Sequence, residues 1–255
     1  MHGKLQESSA AGNKLYMMRR LLWEDSMYAV KLSSEFSSFQ AFRKELEKTL
    51  PQNSSYVRKR NTASIIRWFF PSRSIENPLT KVWTFYRNEL LLKELMRYQY
   101  LTTEPVVAEF ILKHVLARTP GEVIKIEHLK DFLVKKYGVV KPDPLRALSG
   151  AIRYTGFVCL ANRGYTISDL DPPKTALLIL VHYLFAPTPR TVTVKEILAN
   201  SFWQYIGIRS PEIVKKILQE ADANGAIAKY IVADQLEQIT TRYSFDEFIQ
   251  RKIRL

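Results

Sequence analysis

The sequence predicts a mainly α protein: an N-terminal helical domain, then one small helix-and-hairpin unit written twice. Three observations carry this. The first is self-similarity. Phe110-Ile-Leu-Lys-His-Val-Leu-Ala-Arg-Thr-Pro120 is matched by Leu178-Ile-Leu-Val-His-Tyr-Leu-Phe-Ala-Pro-Thr-Pro189, which pairs His114 with His182 and the Thr119-Pro120 turn with Thr188-Pro189. Beyond the turn the offset is constant at 69 residues: Glu127 to Glu196, Leu129 to Leu198, Leu145 to Val214, Leu148 to Ile217, Gly156 to Gly225. Two copies make a tandem pair, since a stacked solenoid needs about three or more. The second observation is helical apolar spacing at Leu145, Leu148 and Ile152, repeated at Val214, Ile217, Leu218 and Ala221. The third is the alternating apolar and polar run that follows each glycine. Helix, strand, helix, helix, hairpin is the order of a winged helix-turn-helix. The predicted fold class is therefore an N-terminal helical domain followed by two tandem winged-helix-like units with small β-hairpins.

Taken in order, residues 1–13 are small and polar and read as a disordered tail. The helical domain spans 14–100. Its first helix falls within 15–32, where Leu21, Leu22, Trp23, Met27 and Val30 supply a packing face. Ser37-Ser38-Phe39 starts a second helix that stops before Pro51, with alternating charges on its outer face. Asn53 or Ser54 caps a third helix, which carries Arg58, Lys59, Arg60 and Arg67 outward and Val57, Ile65, Ile66 and Phe69 inward. The short helix, the polar connection at Pro51–Asn53 and the basic helix together resemble a helix-turn-helix without a wing. Pro71–Pro78 reads as a linker, Leu79–Tyr100 as one long amphipathic helix, and Leu101–Pro105 as the turn into the first unit.

The first unit spans 101–170 and the second 171–255, separated by the stiff Asp169-Leu-Asp-Pro-Pro173 joint. Each unit opens with an apolar helix (about 104–117 and 174–186). A short strand (123–126; 191–194) and a second helix (127–137; 195–202) come next. The third helix has a strong start, Asp143-Pro144 in one copy and Ser210-Pro211-Glu212 in the other. It ends at Gly156 or Gly225, where a left-handed residue closes a helix cheaply. Phe245–Leu255 is read as a closing helix.

The chain has 255 residues, of which 46% are hydrophobic, enough for a real core. Its 38 basic and 25 acidic side chains leave a formal charge of +13. Such a balance points to an anionic partner, most often nucleic acid, or else to a solubility charge spread over all faces. The single Cys159 excludes an internal disulfide and fits a reducing cytoplasm. The N-terminus lacks the apolar core of a signal peptide, and the longest apolar run, Ala176–Ala186, is too short to cross a bilayer. No phosphate-binding glycine loop, dinucleotide fingerprint or nucleophile elbow is present. No histidine and cysteine cluster has zinc spacing, and the carboxylates are scattered. The expectation is a protein without catalytic site, metal or cofactor.

If the units hold DNA, the third helix of each lies toward the major groove. In the first unit the candidates are Lys141, Arg146, Ser149 and Arg153, with Arg163 at the tip of the hairpin. In the second they are Arg209, Lys215, Lys216 and Gln219, with Lys229 on the hairpin. Gln219 and Arg209 are the best base readers there, and the lysines suit phosphates. Asp222, Asp234 and Glu237 oppose phosphate in the second unit, which leaves the first as the more basic surface. The alternative is a protein-interaction module, in which Trp203, Tyr205 and Tyr230 anchor a partner instead of packing in the core.

From Asn53 onward the layout resembles the BrxA family, the small helical component of bacteriophage-exclusion (BREX) systems. The residues that carry the likeness are Asn53-Ser54 followed by Arg58-Lys-Arg60 and Ile65-Ile-Arg67, then Leu90-Leu-Leu-Lys-Glu-Leu-Met-Arg97, then Val106-Val-Ala-Glu-Phe-Ile111. The likeness covers roughly residues 35–170. It implies a mainly helical, non-enzymatic DNA-binding protein of prokaryotic phage defence, working beside larger defence proteins. By the same likeness Arg58, Lys59, Arg60 and Arg67 belong to a first DNA-contacting segment.

Overall fold

A computed structural model describes residues 19–138, 142–162, 164–234 and 236–255. The expected tail and the start of the first expected helix lie outside the described residues. The helical domain comprises α1 (Trp23–Ser33), α2 (Phe39–Thr49), α3 (Ser55–Phe69), α4 (Pro78–Tyr86) and α5 (Glu89–Thr103). Its core is aromatic: Phe42, Trp68, Phe69, Phe70 and Tyr100 are all essentially without solvent contact. Phe42 and Phe70 meet at 4.9 Å, and Trp68 stands edge-on to Tyr100 at 5.8 Å. Aromatic pairs at these separations add about 0.5–1.5 kcal/mol beyond their buried area.

Two expectations are corrected here. The long helix over Leu79–Tyr100 is two helices, because Arg87 adopts a left-handed conformation (φ 48°) and Asn88 then caps α5 by accepting from the Leu91 amide. The expected turn at Leu101–Pro105 is mostly helix: α5 continues to Thr103 and breaks only at Glu104, ahead of Pro105, whose ring disfavours a helical residue before it. Helix α5 packs on α3 and α4 and also on α6 (Pro105–Phe110), α9 (Lys174–Phe185) and α11 (Phe202–Tyr205). It is the spine that joins the helical domain to both units.

The first unit continues from α6 through a π-helical turn, Ile111–Val115, to β1 (Val123–Lys125), α7 (Ile126–Tyr137), α8 (Pro142–Tyr154), β2 (Val158–Ala161) and β3 (Gly164–Ile167). The second has α9, β4 (Thr191–Thr193), α10 (Val194–Ala199), α11, α12 (Pro211–Ala223), β5 (Lys229–Ala233), β6 (Leu236–Thr240) and α13 (Phe245–Gln250). The order of elements expected from the repeat is present in both. Each forms a three-stranded antiparallel sheet of the same order, β1-β3-β2 and β4-β6-β5, in which the first strand pairs with the far arm of the hairpin. The second helix of the second unit is split, since Asn200 is extended and its side chain accepts from the Phe202 amide to start α11. The closing helix is shorter than expected, ending at Gln250, with Lys252 left-handed beyond it. Its start is secured by a capping box between Ser244 and Glu247.

Arg97 of α5 sits where the two units meet. Its guanidinium is buried and donates to the carbonyl of Thr155 (2.6 Å), at the end of α8, and to that of Ile206 (2.7 Å), after α11. Gly207 keeps room for it: with φ +103°, an added Cβ would stand 2.8 Å from Leu170 Cδ1 and 3.2 Å from the Arg97 guanidinium. Burial lowers the Arg97 pKa to about 10, and Glu94 opposes that shift.

Candidate nucleic-acid interface

Helix α8 turns Ala147, Leu148, Ala151 and Ile152 into the core of the first unit. The opposite side of the same helix carries Arg146, Ser149 and Arg153, and these line a groove of about 370 Å³ together with Arg20, Tyr154 and Tyr165. Arg153 lies over the Tyr154 ring at 4.8 Å. The Tyr154 hydroxyl has its pKa lowered, chiefly by hydrogen bonding to Arg20 and further by Arg153. A phenol stabilised toward its anion reports a positive local field. Arg146 has only a 3.6 Å approach to Asp143, with both side chains largely exposed, so water screens that pair heavily.

The stretch before α1 ties this groove to α3. Arg19 donates to Ser64 Oγ on α3 at 2.8 Å, and the Ser64 hydroxyl in turn donates to the Arg60 carbonyl. Lys59 and Arg60 are exposed one turn away. A line of cations thus runs from α3 through Arg19 and Arg20 to Arg153 and Arg146 on α8. Arg20 was not among the sequence candidates, because nothing in the local pattern places residue 20 beside residue 154.

Several candidates are engaged elsewhere. Arg58, expected among the outward cations, donates to the carbonyls of Glu47 (2.9 Å), Gln52 (2.6 Å) and Asn53 (3.2 Å), and so fastens the turn between α2 and α3. Arg67 pairs with the fully buried Glu104 at 2.5 Å, and the Trp68 indole N–H donates to the same carboxylate oxygen. Arg209, expected to read bases, instead donates to the carbonyls of Leu116, Arg118 and Ser168, and so locks the second unit to the first. Lys215 is paired with Glu237 at 2.9 Å. Lys216, Gln219 and Lys229 are exposed. Lys141 and Arg163 lie outside the described residues. Of the expected partner anchors, Trp203 is buried and donates to the Leu198 carbonyl, while Tyr205 and Tyr230 are half-buried.

Among the described residues, no group of three His, Cys, Asp or Glu could hold a metal ion, and no helix is long and apolar enough to cross a membrane. No family model, no curated protein and no solved structure matches this chain.

Proposed function

We propose that this chain is a non-enzymatic double-stranded DNA-binding protein whose principal contact is the α8 face of the first unit, flanked by Arg19, Arg20 and the exposed side of α3. The observation that carries the reading is the convergence of Arg20, Arg146, Ser149 and Arg153 on one groove of a helix that stands third in its unit. The arginines suit phosphates and guanine edges, and Ser149 accepts or donates to either. On the motif likeness to BrxA, we extend the proposal to an accessory role in a BREX-type phage-defence system, beside larger defence proteins.

A second reading attaches to the other unit. There Lys215 is neutralised by Glu237, and the hairpin shows apolar Val232 (60% exposed) and Leu236 (48% exposed). That surface fits a protein contact better than a phosphate backbone. A fluorescence-anisotropy titration of duplex DNA at low and moderate salt tests the main proposal. Binding should weaken steeply with salt and weaken again on replacing Arg146 and Arg153. Absence of binding at low salt overturns it and leaves the protein-contact reading.

A further inference from the structure

Helix α7 separates two basic surfaces. Ile126 at its start faces the α8 groove. His128, Asp131, Phe132, Lys135 and Lys136 face a second groove of about 510 Å³, completed by Glu109, Lys113, His114 and Arg118. This volume suits a small ligand. The helix opposite is π-wound over Ile111–Val115, the stretch that carries Lys113 and His114. Such turns are rare and recur at functional sites. The winding sets the His114 ring against Phe110 (5.1 Å) and edge-on to Phe132 (5.5 Å).

Charge in this groove is unbalanced. Glu109 takes both Lys113 (2.9 Å) and Lys136, while Arg118 and Lys135 make no ion pair among the described residues. The Nδ1 atom of His128 is buried with no hydrogen-bond partner. The matching histidine of the second unit shows what a sealed version looks like. His182 is fully buried, its Nδ1–H donates to the Leu178 carbonyl, and Phe248 of α13 stacks on it at 4.1 Å. Among the described residues of the first unit, no helix follows β3 to cover His114 as α13 covers His182.

We propose that the groove between the π turn and α7 binds a small phosphate-bearing ligand, a phosphate monoester or diphosphate, through Arg118, Lys135 and the two histidines, with Phe132 as its floor. The site is distinct from the DNA face. In the free protein the His114 pKa is lowered, by burial first and then by Arg118, His128 and Lys113, with Glu109 opposing. Asp131, Lys135 and Lys136 are the other charged groups of the groove. A dianion placed among these cations reverses the balance and favours the imidazolium, so binding takes up a proton and strengthens as pH falls.

The test is calorimetric titration of the full chain with inorganic pyrophosphate, with the His114 proton resonance followed in parallel. One-to-one binding is expected, weakened at least about tenfold by Arg118→Ala with Lys135→Ala, and unchanged by Arg146→Ala with Arg153→Ala. Lys135→Ala alone, at an exposed position, guards against misfolding and should weaken binding several-fold. Saturating pyrophosphate should move the His114 titration to higher pH. Pyrophosphate binding that follows the α8 arginines, a His114 resonance that ignores the ligand, or duplex DNA that competes through Arg118 and Lys135 would each overturn the proposal. Failure of DNA binding alone leaves it standing.

Discussion

The two units share element order, sheet order and a left-handed glycine after the third helix, yet they present opposite surfaces. At the constant offset of 69 residues, Arg146 corresponds to Lys215 and Arg153 to Asp222. Arg146 stands nearly alone, whereas Lys215 is held by Glu237. The buried positions stay apolar: Leu148 corresponds to Ile217, and Ile152 to the smaller Ala221. Core positions are constrained by packing and solvent-facing ones are not, so a duplicated fold can separate its roles without refolding. The histidine pair repeats the lesson in reverse, with His182 sealed by α13, which has no counterpart among the described residues of the first unit.

The sharpest way to break the comparison is to remove what holds the units in one frame. Arg97→Met leaves the Thr155 and Ile206 carbonyls without their donor, and should cost about 3–5 kcal/mol in urea denaturation, with the two units unfolding in separate transitions. Next in size is acidification. The His182 pKa is lowered to about 4 by burial, opposed by its bond to Leu178. The fold therefore prefers the neutral ring, and that contribution is complete above about pH 6.5 and lost as pH falls toward about 4, for a total near 3 kcal/mol. Thermal melts of His182→Phe across this window should be flatter than those of the parent, while His114→Phe should change the profile less.

Smaller effects concern the surfaces. Arg146→Ala with Arg153→Ala should weaken duplex binding about 10- to 100-fold and reduce the log–log salt slope by about two. Lys215→Ala should change affinity less than about twofold, because that cation is already paired. The smallest effect runs the other way. Glu237→Gln frees Lys215 and should strengthen duplex binding by about two- to threefold at low salt, read by the same anisotropy titration.

The repeat made both units legible, because period and glycines are local signals; of the two expected third-helix caps, Ser210 holds α12, whereas α8 starts at Pro142 with Asp143 inside its first turn. The left-handed Gly156 and Gly225 fall where the apolar spacing stops. The break at Arg87 was not legible: a left-handed arginine is uncommon, and the amphipathic pattern runs straight across it. The site was half legible. Arg146, Ser149 and Arg153 follow from helical spacing alone. Arg20 joins them through tertiary placement, and Arg58, Arg67 and Arg209 leave the set because their carbonyl and carboxylate partners are remote in sequence or in a different element. A sequence shows that a cation exists but not which acceptor claims it.

Helix α13 has a consequence in time. It packs on α4 as well as α9, Lys81 pairs with Asp246 at 2.7 Å, and Tyr86 Oη donates to the Ile253 carbonyl across 167 residues. At ribosomal rates of about 5–20 residues per second, α4 waits roughly 10–30 s after its own synthesis for that partner to emerge. The helical domain is thus made first and finished last. During the interval its uncovered side is open to chaperones, and it is where nascent chains of this protein should be most prone to aggregate.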